Sequence, residues 1–181
     1  MSNAISYLCL GDIAEISKGT WLNSETAKRL SRNDIEEQYG VQENDVVISR
    51  KMYSTGKKVA ALVENTTVVL VPSGASLIIR PDTTKIFPLY LKAFLEFLPS
   101  DKVIKELKLT SKKHLLSKGS LSKLLIPLPE LTAQIELSDK YDKIKTVDFY
   151  HRYANPIIEQ YDSLMKFFWN CYQPDKREII N

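Results

Sequence analysis

Short apolar runs separated by turn-forming residues fill the middle of the chain, and this pattern is typical of β-strands. The run VVISR at residues 46–50 follows a polar turn and predicts a strand. Two further β-rich runs are separated by Asn65-Thr66, which predicts a tight hairpin. The strands predicted from these patterns are residues 46–50, 57–64, 67–71 and 76–80. We therefore expect a β-rich body in the middle of the chain.

The segment before this body predicts a short helix. Residues 10–16 carry Asp12 with Glu15 three positions later, which is the spacing of a capping box, and Lys18-Gly19 is expected to end the helix. Residues 20–40 are polar and predict a loop or a short helix around residues 24–30.

After Phe87-Pro88 the apolar residues change to helical spacing. Proline suits the first turn of a helix, so a helix is expected to begin at Pro88. Its apolar positions are Leu89, Leu91, Phe94, Leu95 and Leu98. The break at residues 99–101 separates it from a second predicted helix at residues 102–109.

The last third of the chain predicts a turn, an extended segment and a long helix. A single turn is expected at residues 120–124, and residues 125–129 are expected to be extended because two prolines oppose helix there. The long helix is expected from Leu131 to a kink or break near Pro156. We accordingly divide the chain into a body at residues 1–129 and a helical arm at residues 130–181.

An apolar seam follows Pro156 at alternating spacings of four and three residues. We name it the C-terminal seam, and its members are Ile157, Tyr161, Leu164 and Phe168, continued by Cys171. A helix of this length is marginal when isolated, so the seam is expected to pack against other protein. The protein's own body, a second copy and a different partner are all compatible with it.

Composition narrows the class of protein. Hydrophobic residues make up 44% and charged residues 26% of the 181 residues, which is ordinary for a globular chain. No apolar run is long enough to cross a membrane and no secretory signal pattern opens the chain, so a cytoplasmic protein is expected. Two cysteines and two histidines, without metal-ligand spacing, predict neither a metal nor a cofactor.

Charge is unevenly distributed along the chain. The net charge is +3, but residues 101–123 hold seven lysines against two acidic residues, whereas residues 1–100 hold eleven basic and eleven acidic residues. We call residues 101–123 the basic strip. Such a strip favours a polyanion such as DNA, because lysines that displace condensed counterions supply most non-specific affinity. A solvated helix face is the alternative interpretation.

Several motifs occur in an order that resembles the target-recognition domain of a type I restriction–modification specificity (S) subunit. Residues 10–16 followed by Gly19 resemble the opening of that domain. Residues 41–50 resemble its turn and inner strand, although Asn44 stands where glycine is usual before the aspartate. The remaining matches are Pro88-Leu89-Tyr90-Leu91 with Phe94-Leu95, and Leu121 with residues 124–129 and Gln134.

This resemblance implies an α+β fold, with a mixed, mostly antiparallel β core and flanking helices, followed by the helical arm. It implies sequence recognition of double-stranded DNA on behalf of type I methyltransferase and restriction subunits, without chemistry of its own. Typical S subunits carry two recognition domains in tandem, and this chain resembles one of them. A half-subunit is expected to pair, and we expect a homodimer through the C-terminal seam.

The candidate DNA-binding residues lie on two basic loops. Arginine pairs bidentately with guanine, and lysines contact phosphates. The first loop carries Arg50, Lys51, Tyr53, Lys57 and Lys58, and the second carries Lys112, Lys113, His114 and Lys118. An ordinary charged hairpin loop is the alternative for the first loop, and a surface histidine is the alternative for His114.

The sequence offers no catalytic signature. The Asp/Asn-Pro-Pro-Tyr/Phe motif of amino methyltransferases, the glycine-rich nucleotide-binding motifs and a nuclease-like carboxylate and lysine set are all missing from the 181 residues. The remaining alternative is a protein-binding module of a defence-related complex, in which the basic strip is incidental.

Overall fold

The computed structural model describes residues 5–20, 29, 31–51, 60–64, 71–97 and 115–150. Side chains are described throughout these ranges except at positions 32, 36, 38, 39 and 144–150. This part of the chain contains six strands and five helices. In chain order they are β1 (Ser6–Cys9), α1 (Leu10–Ile13), β2 (Ala14–Lys18), α2 (Arg32–Tyr39), β3 (Val46–Ser49), β4 (Ala60–Leu62), β5 (Ser76–Pro81), α3 (Pro88–Phe97), α4 (Lys118–Leu121), β6 (Leu125–Leu128) and α5 (Leu131–Tyr150).

Four strands form an antiparallel sheet in the order β2-β5-β3-β4. Ile79 of β5 lies opposite both Ile16 of β2 and Val46 of β3, and all three side chains are buried. Directly opposite residues share a face of a sheet, so these side chains build the main core on one face. Val47 and Ile78 point to the other face, where they belong to a smaller apolar cluster.

Helix α3 covers the main-core face of the sheet and is apolar nearly all round. Its buried residues are Pro88, Tyr90, Leu91, Ala93, Phe94, Leu95 and Phe97. A helix that is apolar on most sides must be covered on most sides. The sheet, the separate β1-β6 pair and helix α5 provide this cover, and the Tyr90 hydroxyl donates to the Pro127 carbonyl at 2.8 Å.

Helix α5 is attached to α3 through Tyr141, which is buried. The ring of Phe97 meets the Tyr141 ring edge-on, with 5.6 Å between centroids and 78° between planes. The Tyr141 hydroxyl donates to the Glu96 carboxylate, and Lys92 Nζ lies 5.5 Å from the centre of the same ring. An edge-on aromatic pair adds about 0.5–1.5 kcal/mol beyond its apolar burial.

Gln134 fixes the beginning of α5 with its side-chain amide, which is only 1% exposed. Its Oε1 accepts from the Phe87 backbone N–H at 2.8 Å. Its Nε2 donates to the carbonyls of Lys85 at 3.2 Å and Pro129 at 2.9 Å. One side chain therefore satisfies three backbone groups and joins α5 to the segment that enters α3.

Asp45 and Arg80 form a two-point ion pair between β3 and β5. Arg80 Nε and Nη2 donate to Asp45 Oδ1 and Oδ2 at 2.9 Å each, and Asp45 Oδ2 also accepts from the Gln42 N–H at 2.8 Å. The hydrogen bonds to Asp45 raise the pKa of the Arg80 guanidinium. Asn44 precedes the pair with φ = 72°, a backbone conformation that glycine or asparagine adopts most readily. This conformation explains why asparagine substitutes for the family's usual glycine.

The expected fold class is confirmed: the protein is α+β with antiparallel sheets. The strands predicted at residues 46–50 and 76–80 are β3 and β5, and part of residues 57–64 is β4. The helices beginning at Pro88 and Leu131 are confirmed, as is the extended segment, which is β6. The Asn65-Thr66 hairpin, the helix at residues 102–109, the break near Pro156 and the C-terminal seam lie outside the described residues.

The helix predicted at residues 10–16 is wrong beyond its first turn. Helix α1 ends at Ile13, its N-cap position is Cys9 without a side-chain cap bond, and strand β2 follows at once. In β2 only Ile16 is fully buried, while Glu15 and Ser17 are exposed, which is a period of two. Pairing with β5 satisfies this backbone, so tertiary contacts override the local capping pattern.

Two elements were not predicted. Strand β1 is one of them, and helix α2 is the other. The Ser31 hydroxyl accepts from the Asp34 N–H at 3.2 Å, and the Ser31 N–H donates to the Asp34 carboxylate at 3.1 Å. The hydrogen bond from the Ser31 hydroxyl lowers the pKa of Asp34. The Ser-x-x-Asp spacing of this reciprocal cap predicts a helix that starts at this point.

We predict that Gln134→Met lowers the free energy of unfolding by about 2–4 kcal/mol, because three backbone groups lose their partner in a buried place. Urea unfolding followed by circular dichroism measures the change. Glu136→Gln, an exposed substitution on the same helix, is the control and should change stability by less than about 0.5 kcal/mol. Equal unfolding midpoints for Gln134→Met and the parent protein would contradict this role of Gln134.

Candidate nucleic-acid interface

The antiparallel register brings four chain segments to one end of the four-stranded sheet. Strands β2 and β3 finish there, and β5 starts there. The Gly19 N–H donates to the Ser76 carbonyl at 3.1 Å, and the Arg50 N–H donates to the Ala75 carbonyl at 2.8 Å. We call this end, made of residues 18–20, 49–51, 71–76 and 115–118, the Arg50 end.

The fourth segment is held to this end by a two-point contact. The Leu116 N–H donates to the Arg50 carbonyl at 2.8 Å, and Arg50 Nε donates back to the Leu116 carbonyl at 3.0 Å. The Leu116 side chain is buried in the main core. Residues 115–118 therefore dock beside β3 although 65 residues separate the two segments in sequence.

Helix α4 places Lys118 on the surface next to this contact. Ser117 is the N-cap residue, and its hydroxyl accepts from the Ser120 N–H at 3.0 Å. The Ser120 hydroxyl accepts in turn from the Ser117 N–H at 2.9 Å, which completes a capping box. Lys118 is the first residue of the helix and is exposed two positions after the buried Leu116.

Gly19 is required where β2 leaves the sheet. A Cβ atom at this position would lie 2.3 Å from the Ser73 carbonyl oxygen and 2.6 Å from that of Pro72. Both contacts are with backbone, so no side-chain movement could relieve them. The Thr20 N–H donates to the same Pro72 carbonyl at 3.0 Å. This close approach gives a physical reason for the glycine that the sequence motif contains.

The structure brings Arg50, Lys51 and Lys118 together at the Arg50 end. Arg50 is half-buried, while Lys51 and Lys118 are exposed. Six other candidates lie outside the described residues: Tyr53, Lys57, Lys58, Lys112, Lys113 and His114. The first loop continues from Lys51, and the second precedes residue 115, so both candidate loops connect in sequence to the Arg50 end.

Lys18 is a candidate that the sequence did not reveal. It is the last residue of β2, lies opposite Leu77 of β5 and is exposed at the Arg50 end. The sequence pattern had placed it at the end of a helix, so its position beside β5 was not expected. The apolar–polar alternation of Ala14, Glu15, Ile16 and Ser17 is the sequence signal for a strand here, but it gives no sign that Lys18 lies beside β5.

The two ends of the sheet differ in charge. The Arg50 end, as defined above, contains four cations, namely Lys18, Arg50, Lys51 and Lys118, and no aspartate or glutamate. We call the opposite end, made of residues 14–15, 42–45, 62–64 and 80–85, the Asp45 end. It contains five acidic residues and two basic ones. A polyanion is therefore attracted to the Arg50 end and repelled from the Asp45 end.

The described residues contain neither a metal-ligating cluster nor a membrane-spanning helix. No group of three or more histidine, cysteine, aspartate or glutamate side chains in this part of the chain is arranged to hold a metal ion. No described helix has the length and apolarity needed to cross a membrane.

Comparison with known proteins identifies the fold. No family model and no curated protein matches the sequence. A chain from a structural study of complex assembly and conformational transition of the type I restriction–modification system matches 97% of this chain at 15% identity and a TM-score of 0.61. The HsdS subunit from Thermoanaerobacter tengcongensis matches 97% at 16% identity, with a TM-score of 0.59. The type I S subunit from M. genitalium matches 91% at 16% identity, with a TM-score of 0.56.

These matches cover 47%, 46% and 45% of the other chains, so this chain spans about half their length. The resemblance seen in the sequence is confirmed as a likeness of fold. The chain has the fold of the S subunits of type I restriction–modification systems, over about half the length of those subunits.

Proposed function

We propose that this chain is a DNA sequence-recognition (specificity) subunit of a type I restriction–modification system. The observation that carries the proposal is the fold, because nearly the whole chain matches half of an S subunit. Function resides in a site rather than in a fold, so the charge of the site also matters. The cations at the Arg50 end and the basic strip supply the positive surface that DNA requires.

The DNA-binding surface in this proposal is the Arg50 end with its two basic loops. Lysines contact phosphates and fix the position of the protein on the duplex, while loop side chains contact base edges. Lys18 joins the candidates because it is exposed on the same end. The proposed surface comprises Lys18, Arg50, Lys51, Tyr53, Lys57, Lys58, Lys112, Lys113, His114 and Lys118.

The chemistry in this proposal belongs to other subunits. In this proposal the chain directs a type I methyltransferase subunit of N6-adenine specificity, and a restriction subunit, to its DNA site, and the likeness of its fold to S subunits supports this role. Residues 1–129 form the recognition domain and residues 130–181 form the spacer and dimerisation arm. We place the assembled complex in the cytoplasm.

In this proposal the chain pairs with a second copy of itself. Two recognition domains at a fixed separation read a bipartite site, and a closed symmetric dimer supplies them. The C-terminal seam, Ile157, Tyr161, Leu164 and Phe168, is the proposed antiparallel contact. The two Arg50 ends would then face the same DNA.

We predict that co-expression with an active type I methyltransferase subunit produces N6-methyladenine at one sequence motif. Methylome sequencing detects it. The control is the same methyltransferase without this chain, which should leave that motif unmodified. Absence of motif-specific methylation from a methyltransferase that is active with its own specificity subunit would favour a protein-binding module instead.

We predict that binding of duplex DNA weakens steeply with salt. Five phosphate contacts give a slope of about −4 to −5 in a plot of log affinity against log salt concentration. Reversing the charge at Lys112 and Lys113 to glutamate should weaken all sequences about equally and reduce the slope. Lys85→Glu at the Asp45 end is the control and should change affinity much less. Unchanged binding after the double reversal would confine the DNA surface to the first loop.

We predict that the full chain is a dimer at tens of micromolar and that a chain ending at Asn155 is a monomer. Removal of the C-terminal seam takes away the apolar contact that holds the copies together. Sedimentation equilibrium on both chains measures this. A full chain that is monomeric at this concentration, with no effect of truncation, would contradict the homodimer and leave the seam as an intramolecular contact or a docking site for another subunit.

A further inference from the structure

The Arg50 side chain folds back on the protein's own backbone. Its Nε donates to the Leu116 carbonyl at 3.0 Å, while its backbone groups bond to Leu116 and Ala75 at 2.8 Å each. Arg50 therefore joins the end of β3, the start of β5 and residues 115–118. An arginine that reads guanine instead extends its guanidinium to the base edge.

Leu116 is held both by its side chain and by its backbone. Its side chain is fully buried in the main core, and both of its backbone polar groups bond to Arg50. Buried backbone groups require partners, so loss of the Nε donor would leave the Leu116 carbonyl without this bond. Residues 115–118 would then keep one hydrogen bond to the end of β3, from the Leu116 N–H, together with the buried Leu116 side chain and their attachment to α4.

The position of Lys118 relative to Lys51 depends on this contact. Lys51 follows Arg50 directly, and Lys118 follows Leu116 by two residues through the Ser117 cap. The two exposed lysines belong to segments far apart in sequence, one directly after β3 and the other at the start of α4. Contacts that recognise a base sequence require fixed geometry between loops, whereas phosphate attraction tolerates movement.

We infer that Arg50 is a positioning residue for DNA recognition, which holds Lys51 and Lys118 in a fixed relation through the Leu116 carbonyl. The inference rests on the proposed function and deepens it. It assigns sequence discrimination to the relation between these two segments, and it commits the Nε donor of Arg50 to the protein rather than to a base.

Two substitutions at Arg50 separate the hydrogen bond from the charge. Arg50→Met removes both the charge and the donor, and its side chain ends at the position of Nε, as that of glutamine does. Arg50→Gln removes the charge but keeps an amide N–H at the side-chain position of Nε, so it still reaches the Leu116 carbonyl. Lys51→Met, next in sequence, removes an exposed charge, and Lys85→Met removes one from the Asp45 end. Circular dichroism establishes a temperature at which all four variants are folded.

The test uses full-length protein and the duplex that the wild-type chain selects from a randomised pool. We expect Arg50→Met to lower the affinity ratio between this duplex and a shuffled one by at least about tenfold, the loss that one mismatched base pair causes. Selection with Arg50→Met should show weaker preference at several base positions.

The affinity ratio of Arg50→Gln should stay within about threefold of that of the wild type, which is less than the loss that one mismatched base pair causes. Lys51→Met should reduce the salt slope by about 0.9 with base preferences kept, and Lys85→Met should change neither.

Hydrogen exchange at the Leu116 amide provides a readout that does not depend on DNA. It should be faster in Arg50→Met than in wild type and close to wild type in Arg50→Gln, because local opening of residues 115–118 becomes easier only without the donor. Equal exchange in both variants would overturn the inference.

Three DNA results would also overturn the inference. Loss of preference at one base position in both variants would make Arg50 a direct base contact. A salt slope reduced by about 0.9 in both, with base preferences kept, would make it a phosphate contact. Unchanged discrimination in Arg50→Met would remove it from recognition. A wild-type chain that selects no DNA sequence would end the proposed function, and the positioning role would fall with it.

Discussion

The antiparallel pairing of β5 with both β2 and β3 is the constraint on which the rest of the protein depends. Because β5 runs opposite to both neighbours, β2 and β3 must finish at the end where β5 begins. The segments that follow β2 and β3 therefore start from the same end of the sheet. The five acidic residues of the Asp45 end lie at the opposite end. Ile79, buried between Ile16 and Val46, holds this register, since a shift by one residue would turn it away from the core.

Polar side chains connect segments that the apolar core alone would leave adjustable. Gln134 bonds α5 to the entry of α3, and Arg50 bonds the end of β3 to residues 115–118. Apolar contacts are non-directional, whereas hydrogen bonds to backbone specify distance and orientation. Gln134 therefore gives the long helix a defined start beside the body, and Arg50 gives residues 115–118 a defined position beside the end of β3. Both residues therefore fix how one segment of the fold lies against another.

The sequence predicted what depends on local pattern, and it failed where distant pairing decides. Helices beginning at Pro88 and Leu131 have strong spacing and clear starts, so they were predictable. Residues 14–18 carry part of a capping-like pattern, but pairing with β5 makes them a strand. The sequence of these residues alone does not reveal that partner. At the candidate site, the basic residues were visible as residue types. That Arg50 contacts Leu116, and that Lys18 lies at the same end, follows only from the sheet register and the docking of residues 115–118.

The proposed function requires that the Arg50 end of the sheet contacts DNA. Backbone hydrogen exchange of the full chain, with and without the duplex that it selects, distinguishes this end from the Asp45 end. We expect slower exchange on DNA binding at residues 18–20, 50–51 and 115–118, and unchanged exchange at residues 42–45 and 80–85. Slower exchange confined to the Asp45 end, with the Arg50 end unchanged in the presence of saturating DNA, would contradict it.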